Sequence, residues 1–321
     1  MSGHLSDPRF KNYVLARTAI PVLVFQTPTR RAATMSNPQF STPPPSVQDS
    51  IISFPTPSIL LVTLNRVSSL NCINTQGHYE LDALFKWMDA EPSIRCGIMT
   101  GKGRAFCAGA DLKEWDSANR PDSAKASGKK LSREQEQRSM PPSGFGAMSR
   151  RGGKKPVICA VNGICFGGGC EIIVNADMVI AEEQATFGLP EVKIGVVALA
   201  GALTRLVRTV GKPRAMEMAL TGRTLSAKEA REWGLVNKVV EKGKSVEEAI
   251  KMAELIAANS PDSVIVSREG IKMGWEGVGA EEGTRLLAEN WYSRMDKGDN
   301  MKEGVRSFVE KRKPKWVPSK L

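Results

Sequence analysis

The stretch Val157-Ile158-Cys159-Ala160-Val161, followed after five residues by Gly167-Gly168-Gly169-Cys170-Glu171, carries the most structural information in this 321-residue chain. The first run is apolar and β-branched, which is typical of a buried strand. The glycines predict a tight turn, and residues 172–176 can continue as a helix. A strand, a glycine turn and a helix start direct main-chain N–H groups and the positive end of a helix dipole at one point. The pattern predicts an anion-binding turn with the Glu171 carboxylate beside it.

Strand-like and helix-like segments alternate along most of the chain. Apolar runs predict strands at 59–64, 94–99, 157–161, 179–181 and 185–187, and helical spacing predicts helices at 75–90, 212–221, 226–233 and 245–259. Residues 261–312 are mostly helical by pattern. This alternation predicts an α/β core with a helical layer at its C-terminal end. We expect little fixed structure in residues 1–50 and a mobile excursion at 117–153.

The net charge of +11 is concentrated in two segments. Residues 125–155 hold nine Lys/Arg against two Glu, and residues 302–321 hold seven against two. A basic loop and a basic tail favour an anionic partner: a phosphorylated ligand, nucleic acid or a membrane surface. Solvated lysines explain either segment equally well.

Cysteine and histidine usage argues against several classes of site. The six cysteines form no C-x-x-C pair, so we expect a reduced intracellular protein without a disulfide framework or zinc site. The only histidines are His4 and His78, which argues against a Ser-His-Asp triad or a histidine metal centre. No run approaches the ~20 apolar residues of a membrane span. We therefore expect no metal site and no membrane span.

A second small-residue bend lies at 106–111. The preceding Gly101 to Phe106 begins like a dinucleotide loop, but Phe106 stands where the third glycine belongs. The bend then runs through Ala108 to Asp111, which is placed as a helix N-cap. An ordinary capped turn would give the same pattern. Another carboxylate, Glu191, lies in the Gly/Pro corner 187–191.

Taken together, these segments resemble the crotonase superfamily, also called the enoyl-CoA hydratase/isomerase family, and within it a fungal peroxisomal branch. The matching segments occur in the family's order at 105–112, 161–163, 167–171, 187–191, 220–222 and 308–312. The resemblance covers residues 59–316. It implies a (ββα)n spiral core over 51–255, after a disordered leader or targeting segment at 1–50. Residues 256–321 would form a C-terminal helical oligomerisation region, assembled into a homotrimer or hexamer.

The resemblance also implies roles for individual residues. The N–H groups of Ala108 and Gly168 would form an oxyanion hole for the thioester carbonyl of an acyl-CoA. Glu171 would activate the water that attacks Cβ, and Glu191 would supply or accept the Cα proton. The presence of both glutamates favours an enoyl-CoA hydratase, a lyase, or the reverse dehydration of a 3-hydroxyacyl-CoA. No cofactor is implied, because coenzyme A is part of the substrate.

Further candidates for substrate or CoA binding follow from the same resemblance: Ala110, Asp111, Lys113, Leu199 and Lys311. Lys311 would approach the CoA phosphate, often in a neighbouring subunit. Leu199 stands in a segment that is rich in Gly in many hydratases. Its main-chain N–H would lie near the catalytic water, and its bulk would reshape the pocket.

Three alternative functions stay open. One is an isomerase that shifts a double bond, and another is a hydroxyacyl-CoA dehydratase of a siderophore or toxin pathway. The third is a crotonase-fold protein that binds nucleic acid or a partner through its basic loop. Intact Glu171 and Glu191 argue against the third, so no nucleic acid is expected.

Two segments suggest a cellular address. The final tripeptide Ser319-Lys320-Leu321 is read by the peroxisomal import receptor, and the residues before it should leave it exposed. Residues 1–34 are rich in Arg and poor in acidic residues, which favours a mitochondrion as the alternative. They could also reflect an overextended gene model.

Overall fold

Two sheets form the core of the protein. A computed structural model describes residues 40–119 and 140–321. The larger sheet has the strand order β1-β2-β3-β5-β7-β10 and the smaller one β4-β6-β8-β9. The strands are β1 (Ser50–Thr56), β2 (Ile59–Leu64), β3 (Cys96–Gly101), β4 (Ala105–Cys107), β5 (Val157–Val161), β6 (Ile164–Phe166), β7 (Met178–Glu182), β8 (Thr186–Gly188), β9 (Leu225–Ser226) and β10 (Lys238–Val240). Pairs β1–β2 and β8–β9 are antiparallel, and the other pairs are parallel. Because β3–β4, β5–β6 and β7–β8 each place one strand in each sheet, the chain winds as the predicted spiral.

Helices follow these strand pairs and form the C-terminal end. They are α1 (Thr75–Ala90), α2 (Leu112–Asn119), α3 (Gly168–Val174), α4 (Ala202–Val210), α5 (Lys212–Thr221), α6 (Ala227–Glu232), α7 (Ser245–Ala257), α8 (Pro261–Trp275), α9 (Ala280–Leu287), α10 (Ser293–Met295) and α11 (Asp299–Val309). A π-helical turn (Ala288–Tyr292) joins α9 to α10, and 3₁₀ helices include Phe145–Ala147 and Pro190–Ile194. The predicted α/β class is confirmed. The bounds predicted for the individual strands and helices differ from the observed bounds by two residues at most.

A close-packed layer of side chains covers one face of the larger sheet. Isoleucines on one face of neighbouring strands are fully buried against α7, where Ala249 and Ala253 face them. The small alanines let the helix lie close to the sheet. Burial of each isoleucine contributes about 2 kcal/mol. The isoleucines are Ile59, Ile98, Ile158 and Ile180. This layer fixes β5, from which the chain runs through β6 into the glycine turn.

Residues 40–49 are ordered against α1, although the leader was predicted to reach residue 50. The ring of Phe40 packs edge-on against Trp87 at 5.1 Å between centroids. Trp87 Nε1 donates to the Thr42 carbonyl, and Ser41 Oγ donates to the Glu91 carboxylate. The expectation of little fixed structure was therefore wrong for this part. The targeting segment predicted at 1–34 lies outside the described residues.

The described end of the predicted 117–153 excursion is part of the core. Phe145, Ala147, Met148 and Ser149 are buried there. Asn175 Nδ2 donates to the Met148 carbonyl at 2.7 Å, which ties the segment to the end of α3. The prediction of a mobile loop was wrong from residue 140 onward, because alternating glycines let the backbone turn tightly and bury its apolar side chains. Residues 120–139 lie outside the described part of the chain.

Two basic residues near the end of the 125–155 segment, Arg151 and Lys155, stabilise the end of α1 instead of facing a ligand. Arg151 pairs with Asp89 at 2.6 Å, and both Arg151 and Lys155 are buried. Lys155 Nζ donates to the Met88 and Glu91 carbonyls at 2.8 and 2.5 Å. Cations near a helix C-terminus satisfy its free carbonyls and interact favourably with its dipole. These two cations are therefore structural.

The C-terminal tripeptide is docked against the body of the protein. Leu321 is only 8% exposed, and its main-chain oxygen accepts from Lys154 Nζ at 2.5 Å. Lys320 pairs with Asp299 at 2.8 Å. The expectation of an exposed tripeptide was wrong for Leu321, because Lys154 holds its main-chain oxygen, whereas Lys320 is exposed. Within residues 40–119 and 140–321, no helix combines the length and apolarity needed to cross a membrane.

Candidate active site

The glycine turn before α3 has a steric reason for each glycine. Gly167 has φ 54°, which favours glycine. A Cβ on Gly168 would lie 2.4 Å from the Phe145 ring, and one on Gly169 would lie 2.2 Å from the Cys107 carbonyl oxygen. Because Gly168 begins the helix, its N–H has no intrahelical acceptor. No hydrogen bond of this N–H is found within the described residues.

The second bend supplies a different donor from the one expected. The N–H of Ala108, assigned to the oxyanion hole, donates to the Leu70 carbonyl at 3.0 Å. It is therefore already committed within the fold. The assignment of Ala108 was wrong, because a residue 38 positions earlier supplies an acceptor that local sequence does not reveal.

Ala110 has the free N–H group in this bend. Ile73 N–H donates to the Gly109 carbonyl and Asp111 N–H donates to the Ile73 carbonyl, at 3.0 and 3.3 Å. The intervening Ala110 therefore directs its N–H away from Ile73, and the described part of the chain provides no partner for it. A Cβ on Gly109 would lie 3.3 Å from the Gly168 nitrogen. The open donors of Ala110 and Gly168 thus come from two bends in contact, which suits them to one developing negative oxygen.

Both glutamates lie beside this turn. Glu171 is in the first turn of α3 and only 3% exposed. Glu191 is in the 3₁₀ helix Pro190–Ile194, and its Oε1 lies 3.2 Å from where a Cβ on Gly167 would stand. Oε2 of each glutamate is buried without a partner among the described residues. Two carboxylates with open oxygens can hold a water molecule and move protons.

The environment of Glu171 changes its acidity strongly. Burial raises the pKa of its carboxyl to about 7, and the charge of Glu191 contributes to the rise. Main-chain hydrogen bonds from Ala200 and Ala202 oppose the rise in pKa. Burial also raises the pKa of Glu191. Glu171 can therefore exist in both protonation states near neutral pH, as an acid–base catalyst requires.

Leu199 does not occupy the position expected for it. Its side chain is 81% exposed and points out of the monomer. The main-chain hydrogen bonds to Glu171 come from the following residues, Ala200 and Ala202. Leu199 therefore adds no bulk to the pocket that this chain forms, and the expectation of a reshaped pocket was wrong in this respect.

The remaining candidates lie at the edge of the site or away from it. Asp111 pairs with Arg66 at 2.8 Å and accepts from the Lys113 N–H at 3.2 Å, so it caps α2 as predicted. Lys113 is exposed at the start of that helix. Lys311 is exposed just beyond α11, and no ion pair of its side chain is found in the described ranges. The CoA-binding roles of Asp111, Lys113 and Lys311 stay predictions.

Four contributors to the site were missed at the level of sequence. Phe145 packs on the Gly168 turn, and Ser149 donates a hydrogen bond to the Ala200 carbonyl. The N–H groups of Ala200 and Ala202 donate to Glu171. The alternation of glycine at 144 and 146 around Phe145 was the one local signal of a tight, buried turn.

Comparison with known proteins gives a consistent result. The family model described as enoyl-CoA hydratase/isomerase matches residues 56–318. A mevalonyl-coenzyme A hydratase from Beauveria bassiana is 54% identical, over 88% of this chain and 99% of the relative. A mevalonyl-coenzyme A hydratase from Aspergillus fumigatus is 48% identical, over 86% and 98%. The crystal structure of an enoyl-CoA hydratase from Bacillus anthracis superposes with a TM-score of 0.73 at 33% identity, over 85% of this chain and 100% of the other.

Proposed function

This chain belongs to the enoyl-CoA hydratase/isomerase family, and we propose that it interconverts mevalonyl-CoA and the corresponding enoyl thioester. It is a lyase, and the relatives support hydration and dehydration of an acyl-CoA as its reaction. The choice of acyl group is the proposal, and the two mevalonyl-CoA hydratases support it. The observation that carries the chemistry is the pair of open carboxylate oxygens beside two free main-chain donors.

The proposed dehydration uses each of these groups once. The Glu191 carboxylate takes a proton from Cα, and the electron pair moves into the thioester as enolate charge on its carbonyl oxygen. The N–H groups of Gly168 and Ala110 stabilise that charge, and losing one such donor typically costs ~3 kcal/mol. The electrons return to form the Cα–Cβ double bond as the Cβ–O bond breaks. Glu171 donates its proton to the departing hydroxyl, which leaves as water, and hydration reverses these steps.

Mevalonyl-CoA makes a specific demand on such a site. Its Cβ carries a methyl group as well as the hydroxyl, so elimination yields a β,β-disubstituted enoyl thioester. The proton donor must serve a tertiary hydroxyl, and a carboxyl with a pKa of about 7 remains partly protonated near neutrality. Glu171 therefore suits the departure of water as well as its addition.

The test compares three thioesters with the purified full-length protein. We expect kcat/KM for dehydration of mevalonyl-CoA to exceed that for 3-hydroxybutyryl-CoA by ~10-fold or more. Enoyl-thioester absorbance and mass spectrometry follow the products, and a 3-enoyl-CoA tests for isomerisation. Glu171→Gln should lower the rate by ~100-fold or more, while Glu183→Gln, on the exposed surface, should not. Turnover limited to straight chains, or double-bond migration without net water exchange, would contradict the proposal.

We further propose that the protein acts as a homotrimer or hexamer. Ile194, Val197 and Leu199 expose large apolar side chains directly after Glu191. Exposed apolar patches of this kind mark subunit contacts. Analytical ultracentrifugation should show at least three protomers for the wild type and a smaller species for Leu199→Asp. A monomeric wild type at micromolar concentration would contradict the assembly.

For location in the cell we propose the peroxisome, supported by Ser319-Lys320-Leu321. Because Leu321 is docked, recognition by the import receptor requires the tail to leave its site. A fluorescent protein fused ahead of residue 1 of the full-length chain should enter peroxisomes and lose this location when Leu321 is deleted. For a C-terminal fusion, mitochondrial signal that disappears on removal of residues 1–34 would favour the alternative address.

A further inference from the structure

The Ser149 hydroxyl joins two segments that each border the candidate active site. Ser149 is 0% exposed. Its Oγ accepts from the Phe145 N–H at 2.8 Å and donates to the Ala200 carbonyl at 2.7 Å. The hydroxyl therefore uses both its donor and an acceptor position, and each partner is main chain.

Each of these partners acts on a catalytic group. The Phe145 ring packs directly on the turn at Gly168, so closely that a Cβ there would lie 2.4 Å from it. The main-chain N–H of Ala200, which lies in the peptide unit before this carbonyl, donates to Glu171. One buried hydroxyl thus connects the wall beside the Gly168 donor to the loop that holds the general acid–base.

We propose that Ser149 is a positioning residue for the reaction, which holds the Phe145 wall and the main chain at Ala200 so that Gly168 N–H and Glu171 face one substrate. The inference rests on the proposed function, because that function assigns roles to Gly168 and Glu171. Ser149 touches neither substrate nor reacting atoms and acts through the two peptides it binds.

The backbone segments around Ser149 are closely packed. A Cβ on Gly144, which has φ 78°, would lie 2.3 Å from Ser149 Oγ and 3.1 Å from the Ala200 carbonyl oxygen. A Cβ on Gly201, which has φ 131°, would lie 2.9 Å from the Ser149 carbonyl oxygen. The two segments are in direct contact, and the hydroxyl bridges them through its own two hydrogen bonds.

Few titratable groups face Glu171 from the elements packed against it. Glu191 lies across the turn and raises the pKa of Glu171. His78 lies behind Phe145, accepts from the Gly146 N–H at 3.0 Å, and stays neutral above pH 5 because burial lowers its pKa to about 4. Arg205 donates to the Gly201 carbonyl and pairs with Glu276. A shift in the pH profile of a Ser149 variant therefore reports on Glu171 and its main-chain donors.

The test measures hydration of crotonyl-CoA, or of the preferred enoyl thioester, as a function of pH. Ser149→Ala removes the donor to the Ala200 carbonyl, so the main chain at Ala200 can shift and weaken the hydrogen bond from its N–H that holds the pKa of Glu171 down. Because hydration needs Glu171 ionised, the low-pH limb of kcat should move to higher pH by about half a unit or more. We expect kcat to fall by ~10-fold to ~100-fold, and KM to change by less than about 3-fold, since the substrate contacts remain.

Matched variants separate positioning from general stability. Ser245 is also 0% exposed and donates to Glu182 Oε1 at 2.7 Å, away from the site. Ser245→Ala should lower the unfolding midpoint without moving the pH limb. Ser149→Thr keeps the hydroxyl and should restore the wild-type limb. If Ser149→Ala fails to fold, Ser149→Cys keeps the volume with weaker hydrogen bonds and should shift the limb in the same direction.

The outcomes are distinct. The positioning role would be overturned if the foldable variant, Ser149→Ala or Ser149→Cys, had the same low-pH limb and the same kcat as Ser245→Ala. A shifted limb that Ser149→Thr restores would support it. A wild-type protein inactive on every acyl-CoA would instead refute the proposed function, which leaves the two failures distinguishable.

Discussion

The buried carboxylate of Glu171 should destabilise the folded protein at alkaline pH, and Glu171→Gln should remove that cost. Burial raises its pKa to about 7 from an ordinary value near 4.5. Each pH unit of difference corresponds to about 1.4 kcal/mol between native and unfolded states. The ionised carboxylate therefore costs the native state about 3 kcal/mol once the pH exceeds 7.

The sign of the effect follows from proton binding. Between pH 4.5 and 7 the native protein keeps a proton that the unfolded chain has released. Stability of the wild type therefore falls as pH rises through this window, and the full cost is present above it. Glutamine does not titrate, so the stability of Glu171→Gln relative to wild type should grow by about 3 kcal/mol from pH 4.5 to pH 8.5. Its amide nitrogen adds a buried donor that costs about 1–3 kcal/mol at every pH, so the change with pH is the decisive quantity.

Urea unfolding at the two pH values measures this change. One protein concentration is used throughout, because subunit dissociation would make stability depend on concentration. Glu183→Gln, on the exposed surface, is the control and should keep a constant difference from wild type. If the difference in stability between Glu171→Gln and wild type were the same at pH 4.5 and pH 8.5, the buried Glu171 carboxylate would not destabilise the folded protein, and the reasoning would be refuted.

Three further predictions concern neighbouring groups. Glu191→Gln should lower the rate of hydration by ~100-fold or more. Because the charge of Glu191 raises the pKa of Glu171, this variant should also lose less stability than wild type between pH 4.5 and 7. Gly168→Ala should reduce kcat by ~100-fold, because the added Cβ would collide with Phe145 beside the donor. Calorimetry should show a CoA-ester affinity within a few-fold of wild type, and an unchanged kcat would exclude Gly168 from the oxyanion site. Lys155→Met should lower the free energy of unfolding by about 2–4 kcal/mol, because the Met88 and Glu91 carbonyls lose their buried donor. Denaturation followed by circular dichroism measures this change, and an unchanged midpoint would contradict the structural role of Lys155.

Local sequence patterns were sufficient for the α/β class and for the position of Glu171 after a glycine turn, whereas the spiral fold and the pairing of Glu171 with Glu191 followed from the family resemblance. Buried strands such as β5 are short apolar runs bounded by turn residues, and α1 shows its apolar face at helical spacing. The glycine turn before Glu171 was visible because glycine is required where another backbone or ring approaches closely. These features depend on residues near in sequence, so the order of residues determined them.

Only the tertiary structure decided which main-chain groups are available for chemistry. Ala108 and Ala110 lie in one bend, yet the Leu70 carbonyl occupies the N–H of Ala108 and the pairing with Ile73 turns Ala110 the other way. The outward direction of Leu199 and the bridge through Ser149 likewise depend on segments dozens of residues apart. A hydrogen-bond donor is free or used according to what folds against it, and a linear pattern of residues does not contain that information.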